Sequence, residues 1–111
     1  MADKNNRDVI ITNKILSEIN EIECFIDGMS EDDFYNDSKT QKAVVMTLIN
    51  IGELSKAYSN SFVESHKQIP WKKVQAMRNV AAHNYEVIDM EIVWDTVNIS
   101  VAELKKELVY E

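Results

Sequence analysis

At 111 residues with a formal net charge of −7, from 19 acidic and 12 basic side chains, the chain fits a single domain over residues 1–111 whose overall field repels a polyanion at long range. That excludes a sequence-blind nucleic-acid binder built on a continuous basic stripe, and it confines any nucleic-acid contact to a local patch. Two glycines, one proline and apolar residues recurring at intervals of three and four disfavour a sheet with many tight turns and predict an all-α protein.

The N-terminus, Met1 to Arg7, is polar and lacks the apolar centre of a signal peptide, and no later apolar run reaches the ~18 residues that span a bilayer. A soluble, cytoplasmic protein with no membrane contact is the expectation. The first helix is predicted from Asp8 to Asp27, where Ile11, Ile15, Ile19, Ile22 and Ile26 trace a narrow apolar stripe and Gly28 is placed to end it. Cys24 is the only cysteine, which rules out an intrachain disulfide and suits a reducing compartment; beside Phe25 and Ile26 it reads as a buried or half-buried packing residue. Ser30-Glu31-Asp32-Asp33 reads as a helix start, with a hydroxyl cap and carboxylates where the helix dipole favours them. One or two turns follow. No spaced histidines or Asp-x-Asp motif turn that acidic cluster into a metal site, so neither a metal nor a cofactor is expected.

The second long helix is predicted from Asp37-Ser38 to about Tyr58. It is apolar nearly all round, which marks a central helix with several neighbours. Gly52 costs ~1 kcal/mol relative to Ala in a helix interior, so close approach of another helix is its expected reason. Glu53 follows among apolar residues; it either faces solvent at an edge or meets a cationic partner. Residues 60–68 read as a connector with a turn of helix, and His66 within it as a surface histidine. Pro70 opens the third helix, with Trp71, Val74, Met77, Ala81 and Tyr85 at helical spacing and a weakening near Asn84. Asp89 caps the fourth, whose stripe is Val93, Val97, Val101, Leu104 and Leu108 with Trp94 at its flank. Short connections predict an antiparallel up-down four-helix bundle with one short extra helical turn.

The stretch from Met77 to Tyr85 carries the chemistry. Arg78 and His83 are separated by about 140° of rotation and about 7.5 Å of rise on a straight helix, so they share a site only if Arg78 reaches along the surface, the helix ends near His83, or a second copy completes the cleft. Tyr85 returns to the Arg78 face, Asn79 shares the His83 row, and Ala81 and Ala82 leave room for another backbone or a ligand. Histidine exchanges protons near neutral pH, and arginine offers a fixed cationic fork to phosphate oxygens. On RNA, His83 would take the proton of a 2′-hydroxyl while Arg78 stabilises charge on the attacked phosphate, giving a cyclic phosphate product without a metal. Asn79 would hold the imidazole in one tautomer, and Tyr85 would bind phosphate or stack on a base. Taken alone, an Arg and a His near a helix end also fit a salt bridge and a surface imidazole.

The ordered set Pro70-Trp71, Met77-Arg78-Asn79, His83-Asn84-Tyr85 and Ile92-Val93-Trp94, with Asn50-Ile51-Gly52-Glu53 upstream, resembles the HepT toxins of the HEPN superfamily, whose signature is Arg, four to six residues, His, any residue, Tyr. The resemblance covers most of the chain. It implies a dimeric helical bundle in which Arg78 and His83 of both subunits line a cleft that cuts RNA, with Asn79 supporting them; Glu53 is read as a second supporting residue of that site. It also implies a minimal nucleotidyltransferase antitoxin that neutralises the toxin and can transfer AMP to Tyr85. A bulky anion there would sit beside Arg78 and oppose an incoming RNA phosphate. Two other readings stand beside a ribonuclease toxin: a non-catalytic nucleotide- or partner-binding module working with a nucleotidyltransferase, and a helical dimerisation domain without a site.

Overall fold

In a computed structural model of the chain, which describes residues 2–79 and 89–109, every regular element is helical. The elements are α1 (Ala2–Phe25), α2 (Glu31–Tyr35), α3 (Ser38–Ser55), α4 (Asn60–Ser65), α5 (Trp71–Ala76) continued by a tighter 3-10 turn (Met77–Asn79), and α6 (Met90–Asp95), which passes through a π-helical stretch (Thr96–Val101) into α7 (Ala102–Val109). The all-α expectation holds. Among the described residues no helix is long and apolar enough to cross a membrane.

The isoleucine stripe does what its spacing predicts: Ile11, Ile15, Ile19 and Ile22 are buried and Ile26 is half-buried against the core. The helix itself is longer at its N-terminus than the apolar pattern, beginning at Ala2 rather than Asp8 and ending at Phe25. Polar residues can extend a helix for which burial gives no cue. Cys24 is a correction, because it is exposed. Ile22 and Ile26 hold the core face, and a residue two positions after Ile22 is turned about 200° from it. Gly28, at φ 76°, takes the left-handed conformation that stops the chain from continuing, and Met29 N–H donates to Ile26 O at 2.9 Å.

Ser30 caps α2 as expected, and the cap is reciprocal: Ser30 Oγ accepts from Asp33 N–H while Asp33 Oδ2 accepts from Ser30 N–H. Glu31 accepts the Tyr35 hydroxyl at 2.6 Å, and that bond holds the phenol well above its ordinary pKa. Phe34 is fully buried and meets Trp94 of α6 with ring centroids 5.2 Å apart. Asp37 caps α3, and the Thr40 backbone and side-chain donors pull its carboxyl below the usual range.

Helix α3 is the central element. It packs against α1, α2, α5 and the 3-10 turn, burying Val44, Val45, Leu48 and Ile51. Hydrogen bonds pair Asp8 with Ser59, Thr12 with Tyr58 and Glu18 with Asn50, so positions rise along α1 as they fall along the α3 arm and the two helices run antiparallel. The predicted end near Tyr58 falls at Ser55 instead. There the chain turns, because Asp8, only 6% exposed, accepts both the Ser59 N–H at 2.9 Å and the Ser59 hydroxyl at 2.6 Å. Ser59 Oγ in turn caps α4 through Phe62 N–H.

The connector therefore contains a full short helix. Tyr58 stacks on Phe62 at 4.1 Å and Phe62 on His66 at 4.0 Å, while the Trp71 indole N–H donates to His66 O at 3.0 Å. His66 is half-buried at the end of α4 rather than a loose surface side chain, with Nδ1 2.8 Å from Phe62 O. Pro70 precedes the first helical residue of α5 by one position, a shift of one from the predicted start. These contacts fasten the start of α5 to the end of α3, which fixes where the residues after Met77 emerge.

On the last helix Val93, Val97, Val101, Leu104 and Leu108 are all buried, with Trp94 half-buried beside them. The valines step by fours, which on an ideal α-helix would swing Val101 about 80° from Val93. The wider π turn over Thr96–Val101 returns them to one face.

Candidate functional site

Gly52 sets the position of Arg78. A Cβ at Gly52 would lie 2.7 Å from Arg78 N, 3.0 Å from Arg78 Cβ and 3.2 Å from Gln75 O. Only a residue without a side chain lets the end of α5 and its 3-10 turn close this far onto α3, as the sequence position of Gly52 anticipates. Met77, 3% exposed, anchors the turn inward, and the tighter winding brings Arg78 over the next residue of α3.

That residue is Glu53. Arg78 Nε lies 3.2 Å from Glu53 Oε2, with the two side chains 40% and 54% exposed. Both readings of Glu53 are thus realised, a cationic partner and a solvent-facing edge. A half-exposed ion pair contributes at most ~1 kcal/mol to stability, so its consequence is orientation rather than folding. The contact is made through Nε, and a guanidinium carries further N–H donors on its two Nη groups that can serve an anion.

Two concavities flank the pair. One, about 480 Å³, lies between α1 and α3 and is lined by Lys14, Glu18, Asn50 and Glu53 among others; the Asn50 amide donates to Glu18 Oε1 at 3.0 Å. The other, about 270 Å³, is lined by Lys56, Lys72, Gln75, Ala76, Arg78 and Asn79. The structure therefore brings Arg78, Glu53 and Asn79 together. His83 and Tyr85, with Ala81, Ala82 and Asn84, lie outside the described residues. Among the described residues no group of three or more His, Cys, Asp or Glu is arranged to hold a metal ion.

Lys56 and Lys72 escaped the reading of the sequence. Lys72, Gln75, Ala76 and Asn79 do recur at helical spacing and could have been read as one polar face of α5. Nothing in the sequence brings Lys56, at the end of α3, to that face.

The chain is thus a small all-α domain whose central helix admits an arginine-bearing turn over a glycine. The chain belongs to the HepT-like family: it matches the family described as "Ribonuclease HepT-like" over residues 15–110. It is 38% identical over 94 residues to a protein of Methanocaldococcus jannaschii named "Putative RNase", covering 85% of this chain and 78% of that one. It is likewise 38% identical over 91 residues to "Probable ribonuclease HepT" of Thermococcus cleftensis, covering 82% and 83%. A third relative, "Putative RNase" of Caldanaerobacter subterraneus, is 34% identical over 83 residues, 75% of this chain and 74% of that one. No solved structure matches the chain.

Proposed function

We propose that the protein is a ribonuclease that cleaves RNA without a metal, using Arg78 and His83 in a cleft completed by a second copy, and that it is the toxin of a pair whose antitoxin is a minimal nucleotidyltransferase. The observation that carries this reading is the placement of Arg78: a half-exposed guanidinium, held through Nε by Glu53 at 3.2 Å, on a turn that Gly52 allows to close on α3. Membership in a family whose relatives are named as ribonucleases supplies the reaction class.

The chemistry follows from the residue types. His83 accepts the proton of a ribose 2′-hydroxyl as its oxygen bonds to phosphorus, and the bond from phosphorus to the 5′-oxygen breaks. The 5′-oxygen leaves with the bonding electrons and is protonated from solvent, and the upstream strand ends in a 2′,3′-cyclic phosphate. Arg78 holds the non-bridging oxygens while charge builds on them. Asn79, at the edge of the same hollow, supports the pair. Tyr85, two residues after His83, is the proposed acceptor of AMP; an adenylate there places an anion where the RNA phosphate must sit, which is why modification would silence the enzyme. Exposed Ile92 and Ile99 on the last helix are apolar surface that a second copy would cover.

The test is cleavage of total RNA in excess chelator by wild type, Arg78→Ala and His83→Ala proteins, with analysis of product ends. Cyclic phosphate ends from wild type alone are the expected result. Undiminished cleavage by either folded variant would exclude the site, and absence of cleavage by wild type together with tight capture of a nucleotidyltransferase would favour the non-catalytic binding module. Ultracentrifugation showing only monomer at micromolar concentration would exclude the shared cleft.

A further inference from the structure

We propose that the hollow beside Arg78 is a binding subsite for the phosphodiesters of an RNA strand next to the cleaved one, with Lys56 and Lys72 as its cations. This rests on the ribonuclease reading of Arg78 and adds to it the course of the substrate away from the cut.

Three cations from three pieces of chain converge there: Lys56 where α3 ends, Lys72 in the first turn of α5 and Arg78 in the 3-10 turn. Among the described residues no carboxylate lines the hollow, in a chain that carries 19 of them against 12 basic residues. Glu53 belongs to the concavity on the other side of Arg78. Lys67 and Lys105 are paired, with Glu64 and Glu23, whereas among the described residues neither Lys56 nor Lys72 has an acidic partner. Like charges drawn round one concavity repel one another, and a bound anion relieves that repulsion. The Gln75 and Asn79 amides add hydrogen-bond donors between the cations.

The chemistry of the hollow fits a phosphodiester strand better than a base. Lysine meets phosphate as a mobile point charge without demanding a fixed geometry, and among the described residues no aromatic side chain lines the hollow to serve as a stacking platform. The site answers the requirement that the acidity of the chain imposes: contact with a polyanion has to be local, and here three cations are gathered within one small surface beside the reacting phosphate.

The experiment measures binding of a ten-nucleotide single-stranded RNA, by fluorescence anisotropy over a range of salt, to His83→Ala protein with and without Lys56→Ala and Lys72→Ala together. A Lys39→Ala and Lys42→Ala pair, exposed at the far end of α3, makes the same change in net charge away from the hollow. Loss of two phosphate contacts is expected to lower the magnitude of the slope of log affinity against log salt by about 1.4, and to weaken binding roughly tenfold at moderate salt, with the control pair unchanged. In otherwise wild-type protein the two lysine changes should raise KM for the ten-nucleotide RNA and leave cleavage of a dinucleoside monophosphate unaltered. Unchanged affinity and slope, or an equal loss in the control pair, would overturn the subsite while cleavage by wild type left the ribonuclease reading intact. RNA binding that depends on Lys56 and Lys72 without any cleavage would sustain the subsite and remove the nuclease; a wild-type protein that binds no RNA removes both.

Discussion

The two concavities on either side of the Glu53–Arg78 pair are built from neighbouring stretches of the same helix, yet they carry opposite charge. Among the described residues, the groove between α1 and α3 holds Glu18 and Glu53 against Lys14, and the hollow between α3 and α5 holds Lys56, Lys72 and Arg78 with no carboxylate. Glu53 in the last turn of α3 lines one, and Lys56, the residue that caps the end of α3, lines the other, three residues apart. The ion pair thus stands at a divide, with its carboxylate lining the acidic side and its arginine lining the basic side. A net charge of −7 describes the field far from the molecule and says little about the field within a few ångströms of Arg78, where solvent and salt screen remote charges.

The sharpest way to break the comparison is to remove the residue at the divide. Arg78→Ala should lower the rate of RNA cleavage by about 10²–10³-fold, the usual consequence of losing a preorganised partner of developing negative charge, with an unchanged circular dichroism spectrum because the side chain is half-exposed. Cleavage that survives would separate the basic hollow from the chemistry. Charge changes on the two sides should then differ strongly in effect. Lys56→Glu with Lys72→Glu is expected to raise KM for a long RNA by about 10–10² through lost and inverted phosphate contacts, whereas Glu18→Gln across the divide should change it by less than about twofold. The lysine pair lowers the net charge by four and Glu18→Gln raises it by one, so opposite shifts in KM scaled to those changes would mean that only net charge matters.

What was legible in the sequence follows the same division. The core was readable because burial leaves a periodic trace: the isoleucines of α1 and the valines and leucines of the last helix are buried where their spacing places them. Gly52 was readable as a close approach, since a helix carries an interior glycine at a cost, and the backbone it meets is that of Arg78. Glu53 was readable only as a choice between a partner and solvent. Lys56 was not readable at all, because its relation to Lys72 is made by packing between α3 and α5 and by the aromatic column of Tyr58, Phe62 and Trp71, which leaves no spacing rule in the chain. Cys24 was misread for a related reason, its apolar neighbour in sequence lying on a different face. The π stretch left a faint trace in the four-residue steps of its valines, too short to distinguish from an ordinary helix.

Gly52→Ala tests how the divide is held in place. Alanine gains about 1 kcal/mol in helix propensity over glycine, but its Cβ would fall 2.7 Å from a backbone nitrogen, and backbone cannot swing aside as a long side chain does. Overpacking of this kind costs about 1–3 kcal/mol, so chemical denaturation should show a net loss on the order of 1 kcal/mol, together with a several-fold fall in cleavage as the 3-10 turn is pushed off α3. A variant that gains stability at full activity would show that the close approach is not needed.

The smallest expected effect isolates the carboxylate itself. Glu53→Gln keeps the shape of the side chain and its acceptor oxygen while removing the charge beside Arg78. Because the pair is half-exposed, stability should change by less than ~1 kcal/mol. Two opposite consequences compete in catalysis. Loss of the negative charge lets Arg78 attract phosphate more strongly, which lowers KM; loss of the charged anchor lets the guanidinium wander between the two concavities, which lowers kcat. If the carboxylate orients Arg78, kcat falls a few-fold while KM falls or stays level, and RNA binding no longer distinguishes the basic side, so Lys56→Ala and Lys72→Ala weaken it less than they do in the parent. If kcat is unchanged and the lysine variants keep their full effect, Glu53 is a bystander, and the turn of backbone over Gly52 alone aims the arginine.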